Sequence, residues 1–152
     1  MSYKDLVTDF LYSEYYKDKS VFKDFVHPKL ELNWNSSDGF LKLDFDSFFE
    51  MVQNMGKTFV ALTPEFSHIF AENNKVCVRF TYHVETLEHE ESLPLAHFMS
   101  IWEVEDEKIR KGFLMSHAAD DSVDNIFSYI RTISGSLFPF LVSKRAFTNN
   151  PF

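Results

Sequence analysis

Six histidines, at positions 27, 68, 83, 89, 97 and 117, are the residues of this chain best suited to proton chemistry near neutral pH. No two of them fall at the His-x-x-x-His spacing that puts two imidazoles on one helix face, so no metal site is expected. His89-Glu90-Glu91 reads as an acidic turn tip. In the run from His97 to Ile101, alternation pairs His97 with Met99 and Ile101 on one strand face. That reading makes Met99 and Ile101 an apolar cavity wall and His97 its polar anchor. His117 ends Met115-Ser116-His117, with Asp120 and Asp121 just beyond, a second place suited to holding or passing a proton. His97 and His117 are therefore the candidate catalytic residues. His83 alternates to the opposite face. Cys77, the single cysteine, excludes an internal disulfide and reads as a small strand residue.

The elements that must position these groups follow from periodicity. Tyr3, Leu6, Val7, Phe10 and Leu11 form one helical stripe, with Ser2 and Asp5 resembling a capping box. A short second helix starts at Ser20 and ends at His27-Pro28, because a residue before proline avoids helical backbone. Residues 29–35 alternate as a strand that carries Trp34, and Asn35–Gly39 make a loop. A third helix spans Asp44 to Met55, with Phe45, Phe48, Phe49, Val52 and Met55 inward, Asp44 as N-cap and Gly56 as C′ residue. Four strands follow, at 58–71, 75–87, 94–104 and 108–118, with a bulge or kink at Pro64 and a turn at Asn73-Asn74. In the second of these, Val76, Val78, Phe80, Tyr82 and Val84 face inward. Helices followed by an unbroken meander predict an α+β fold, a cone-shaped curved antiparallel sheet with three helices over its concave face.

One domain is expected over 1–121, with 122–152 forming a C-terminal helix from Ser122 to Gly135 and an apolar tail on the same domain. Phe supplies 18 of 152 residues, which suits a core or an apolar ligand pocket because Phe buries area without a polar atom to satisfy. A net charge of −8 repels phosphate backbones, so nucleic acid is not an expected partner. There is no apolar stretch of membrane-spanning length and no signal-peptide pattern, and the reading is a cytoplasmic protein that needs no cofactor.

The order of elements resembles the nuclear transport factor 2-like superfamily, in its SnoaL-like branch of polyketide cyclases and ketosteroid isomerase relatives. The resemblance covers about residues 5–120 and is carried by Phe10-Leu11, Tyr16-Lys17-Asp18, His27-Pro28-Lys29-Leu30-Glu31-Leu32 and Lys108-Ile109. It implies a cone-shaped barrel and a homodimer through the outer sheet face, read here as Arg79, Thr81, His83 and Glu85 with Phe98, Trp102 and Val104. Carried over residue by residue, the isomerase oxyanion Tyr corresponds to Phe10, the base to Trp34 and the second oxyanion donor to Met99. None of the three does the required proton chemistry, so steroid isomerase activity is not expected.

The leading expectation is a protein that binds a small, mostly apolar molecule through Phe10, Trp34, Phe49, Met99 and Ile101. The alternatives are a cofactor-independent isomerase, cyclase or dehydratase using His97 or His117, and a non-catalytic dimeric subunit acting through its sheet face.

Overall fold

The computed structural model describes residues 2–88, 91–120 and 122–130. Helix α1 (Tyr3–Tyr12) starts at Ser2, whose hydroxyl accepts the Asp5 N–H at 3.1 Å, and it buries Leu6, Val7, Phe10 and Leu11. Helix α2 (Lys19–Phe25) is capped by the Asp18 carboxylate. At its other end the Lys108 ammonium donates to the carbonyls of Lys23 and Asp24 at 2.7 and 2.9 Å, satisfying groups that a helix end leaves without partners. Helix α3 (Phe45–Gly56) opens with a reciprocal capping box between Asp44 and Ser47. Gly56 is the last helical residue and not a left-handed C′ position. Glycine is needed there because a Cβ would collide with the Tyr16 carbonyl.

The sheet contains β1 (Val26–Ser36), β2 (Gly39–Leu43), β3 (Phe59–Glu72), β4 (Lys75–Thr86), β5 (Leu93–Glu105) and β6 (Lys108–Ala118). Their spatial order is β2-β1-β6-β5-β4-β3, a curved, unclosed sheet. All neighbours are antiparallel except β1 and β6, which run parallel. Strand β2 is an addition to the sequence reading. Gly39, at φ +116°, lets the chain fold straight back along β1. Pro64 pairs in register with Tyr82, and the irregularities flank it, at Phe59/Ala61 and Phe66/His68. Proline is tolerated because β3 is an edge strand. Asn73 (φ 54°) makes the β3–β4 turn, and Asp106 and Glu107 (φ 54° and 58°) the β5–β6 turn. Helix α4 (Val123–Phe127) follows the sheet, with Ser122 as its N-cap. The tail at 136–152 and the helix beyond Ile130 lie outside the described residues.

Cross-strand register sorts the side chains into two faces. On the concave face, under the helices, Val76 pairs with Trp102, Trp102 with Gly112, and Gly112 with Leu32; the next row holds Val78, Ser100, Leu114 and Trp34. A Cβ on Gly112 would strike Leu32 and lie 3.0 Å from the Trp102 ring, so a side chain is missing there to make room for the indole. The convex face carries Arg79, Met99 and Met115 in one row and Cys77, Ile101 and Phe113 in another. Strand β5 therefore turns the opposite way from the sequence reading. Phe98, Ser100, Trp102 and Val104 point inward, whereas Met99 (47% exposed) and Ile101 (43%) point out. Their assignment to the cavity wall is corrected, and so is that of Phe98, Trp102 and Val104 to the outer face.

Candidate functional site

On the concave side, the wall beneath α1 and α3 is aromatic. Phe80 and Phe98 stack at 4.8 Å with an interplanar angle of 2°, and Tyr82 meets both edge-on. Trp34 lies 6.1 Å from Phe98. Phe10 from α1 packs on Tyr15 at 4.3 Å and against Trp102 at 5.9 Å. Phe49 sits at the margin, half-buried, against Phe22 and beneath the Lys19 ammonium.

Polar atoms on this wall are committed to one another. The Trp34 indole N–H donates to Ser116 Oγ at 2.7 Å. The Trp102 indole donates to Ser100 Oγ at 3.0 Å, and Ser100 donates to the Val78 carbonyl at 2.9 Å. Tyr82 O–H donates to the Leu11 carbonyl at 3.0 Å, so Tyr15 O–H, 3.1 Å away, donates to Tyr82. Burial pushes both phenols up from their ordinary range, and they act as hydrogen-bonding groups and not as acids. Buried polar or charged residues among those described are Thr81, His83, His97 and Ser100, and only Ser100 points inward.

The convex face holds the titratable groups instead. His97 pairs with Thr81 on one side and His117 on the other. Its Nδ1 is 2.7 Å from Thr81 Oγ1, and its ring stacks on Tyr129 at 4.5 Å. Burial holds its pKa below the usual histidine value; Asp120 partly offsets this, and Arg79 and His117 add to it. His83, on the same face, is pushed down to about 4, first by burial and then by His97. His117 is exposed, with Nδ1 donating to the Ala118 carbonyl at 3.0 Å. Burial raises the Cys77 thiol, the reverse of an activated nucleophile.

Among the sequence candidates, the structure brings Phe10 and Trp34 together on the concave side, with Phe49 at its edge. His97, His117, Met99 and Ile101 lie on the other side of the sheet. Met99 cannot occupy an inward donor position; its inward neighbours are Phe98 and Ser100, neither of which ionises. The sequence reading missed Tyr15 and Ser116 as polar partners of the wall. It also missed the signal that fixes β5, because Glu103 and Glu105 share parity with Met99 and Ile101 and mark that face as the wet one. Among the described residues no cluster of His, Cys, Asp and Glu is placed to hold a metal ion, and no helix is long and apolar enough to cross a membrane. His89, Glu90 and Asp121 lie outside the described residues.

A family model described as a SnoaL-like domain matches residues 10–112. No match to a curated protein was found. Among solved structures, IdmH of Streptomyces antibioticus, a candidate polyketide cyclase, superposes with a TM-score of 0.59 at 15% identity, covering 76% of this chain and 92% of its own. A candidate SnoaL-like polyketide cyclase of Shewanella denitrificans OS-217 gives 0.59 at 8% identity, covering 75% and 89%. AclR of Streptomyces galilaeus, a candidate hydroxylase, gives 0.57 at 17% identity, covering 75% and 77%.

Proposed function

This chain belongs to the SnoaL-like domain family, with a nuclear transport factor 2-like fold, and from that premise we propose that it binds a small, mostly apolar molecule on the concave side of its sheet. The observation that carries this reading is an aromatic wall of Trp34, Phe80, Phe98 and Tyr82 whose donors are already taken by protein acceptors. These rings are only 1–2% exposed and pack within the core, so a ligand enters by parting them from the overlying helices. An interior of this kind rewards shape and apolar area and offers little to a charged ligand. Ser116, half-buried at the rim beside the Trp34 indole, is the polar atom best situated to orient an incoming group.

Proton transfer by a pocket histidine loses its geometry, because His97 and His117 are outside the cone. The isomerase, cyclase or dehydratase alternative therefore has no acid–base pair among the described inward residues. Native mass spectrometry of the purified protein tests the binding reading. A one-to-one small-molecule adduct that is lost in Phe98→Arg is expected. Absence of any adduct, together with no response to the neutral probe 2-naphthol, contradicts it.

A second reading, a homodimer through the outer sheet face, is favoured by one observation. Met99, Ile101, Phe113 and Met115 form an exposed apolar square of paired neighbours on β5 and β6, extended by Phe70 on β3 and Phe40 on β2. An exposed apolar patch on an outer sheet face suits a self-complementary contact. Light scattering across a concentration series tests it, and a monomer at all concentrations removes it.

A further inference from the structure

The segment after the sheet lies on the convex face, where Arg79 and His97 hold it among the described residues. Arg79 donates to the Ser128 carbonyl at 3.0 Å and to Ser128 Oγ at 3.2 Å, and it is itself steadied by Ser67 Oγ at 3.0 Å. Its guanidinium lies 3.6 Å from the centre of the Tyr129 ring. The same ring stacks on His97 with an interplanar angle of 18°. Ile126 is buried apart from the main core. Helix α4 has only five residues, too short to persist without tertiary support. His97 is thereby left 5% exposed, with Nδ1 at Thr81 and Nε2 lacking a partner among the described residues.

We infer that Val123–Tyr129 is a pH-sensitive strap, closed over His97 when the imidazole is neutral and released from the convex face when it takes a proton. An imidazolium at this position has a second N–H to satisfy, and its Nε2 has no hydrogen-bond partner among the described residues. The charged and titratable neighbours are Arg79 and His83 on β4, His117 on β6, Asp120 after β6, Tyr129 on the strap, and Glu65, which pairs with Thr81 from β3. Asp120 favours the imidazolium, but burial, Arg79 and His117 outweigh it, so the closed state binds the proton less readily than an open, solvated one. The closed strap is therefore fully favoured above the ordinary histidine pKa and loses ground as pH falls below it. Release uncovers His97; the inference concerns the strap alone and stands whether or not that face pairs with a second copy.

Hydrogen exchange read by mass spectrometry on the full chain at pH 7.5 and 5.5, corrected for intrinsic rates, tests this. Protection at 122–130 is expected to fall by up to about tenfold, the ceiling for one proton taken up by a group of ordinary pKa near 6.5 over that interval. Protection of β4 reports global stability, which His83 lowers over the same interval, and serves as the gauge against which the loss at 122–130 is read. His97→Gln, which keeps a polar partner for Thr81 and cannot charge, should abolish the difference. An NMR titration of wild-type His97 provides the second readout, with a midpoint below the ordinary value and coincident with loss of the Tyr129 ring contact. Unchanged protection at 122–130, an equal loss at 122–130 in His97→Gln, or a His97 midpoint at or above the ordinary value would each overturn the inference.

Discussion

The concave and convex faces of one sheet divide the work of this molecule by a single rule, the alternation of side chains along each strand. The inner face has aromatic rings and hydroxyls bonded to one another. The outer face has buried imidazoles, a guanidinium and an exposed apolar square. Residues capable of proton chemistry are thus separated by one layer of backbone from the face proposed above to hold a ligand.

The sharpest way to break this division is to remove the largest inward ring. Trp102→Ala should cost ~3–5 kcal/mol in urea denaturation, the range for truncating a buried aromatic, while Met99→Ala on the opposite face of the same strand should stay within ~0.5 kcal/mol. Equal losses at both sites would dissolve the distinction.

Acid probes the outer face next. His83 has its folded pKa lowered to about 4 from 6.5, so the unfolded chain takes up the proton first. The stability it contributes is intact above 6.5 and declines as pH drops toward 4, by up to ~3 kcal/mol. Paired denaturation curves of wild type and His83→Gln check this; the variant should lose less over that window. A smaller effect returns to the inner face. Gly112→Ala should destabilise by ~1–3 kcal/mol through overpacking against Leu32 and Trp102. Smallest in stability is Met115→Glu, expected within ~0.5 kcal/mol, yet it should abolish any concentration-dependent association seen by light scattering.

The helices were legible because each buries one stripe at helical spacing and opens with a side-chain cap: Leu6, Val7, Phe10 and Leu11 behind Ser2, Phe48 and Val52 behind Asp44. Strand β4 was legible because its inward residues are all large and apolar. Strand β5 was not, since both its faces carry apolar residues and Met99 with Ile101 imitates a core stripe. The decision came from pairing, with Phe80 opposite Phe98 and Arg79 opposite Met99, information that no single strand contains. Gly56 misled for a related reason: it answers to the Tyr16 carbonyl, a neighbour distant in sequence. Of the candidate residues, the side of the sheet was legible for Phe10 and Trp34, which are on the concave side, and not for His97 and His117, which are on the convex one.

The chain has two tryptophans, Trp34 and Trp102, and their indole N–H signals report two points of the concave wall, one bonded to Ser116 and the other to Ser100. A titration of the ¹⁵N-labelled protein with 2-naphthol, followed through those two signals and the methyl signals of Met99 and Met115, tests the central claim most directly. The Trp34 signal should shift saturably, equally at pH 5.5 and 7.5, while both methionine methyls stay fixed. Shifts confined to Met99 and Met115, or a Trp34 response that follows histidine titration, would contradict it.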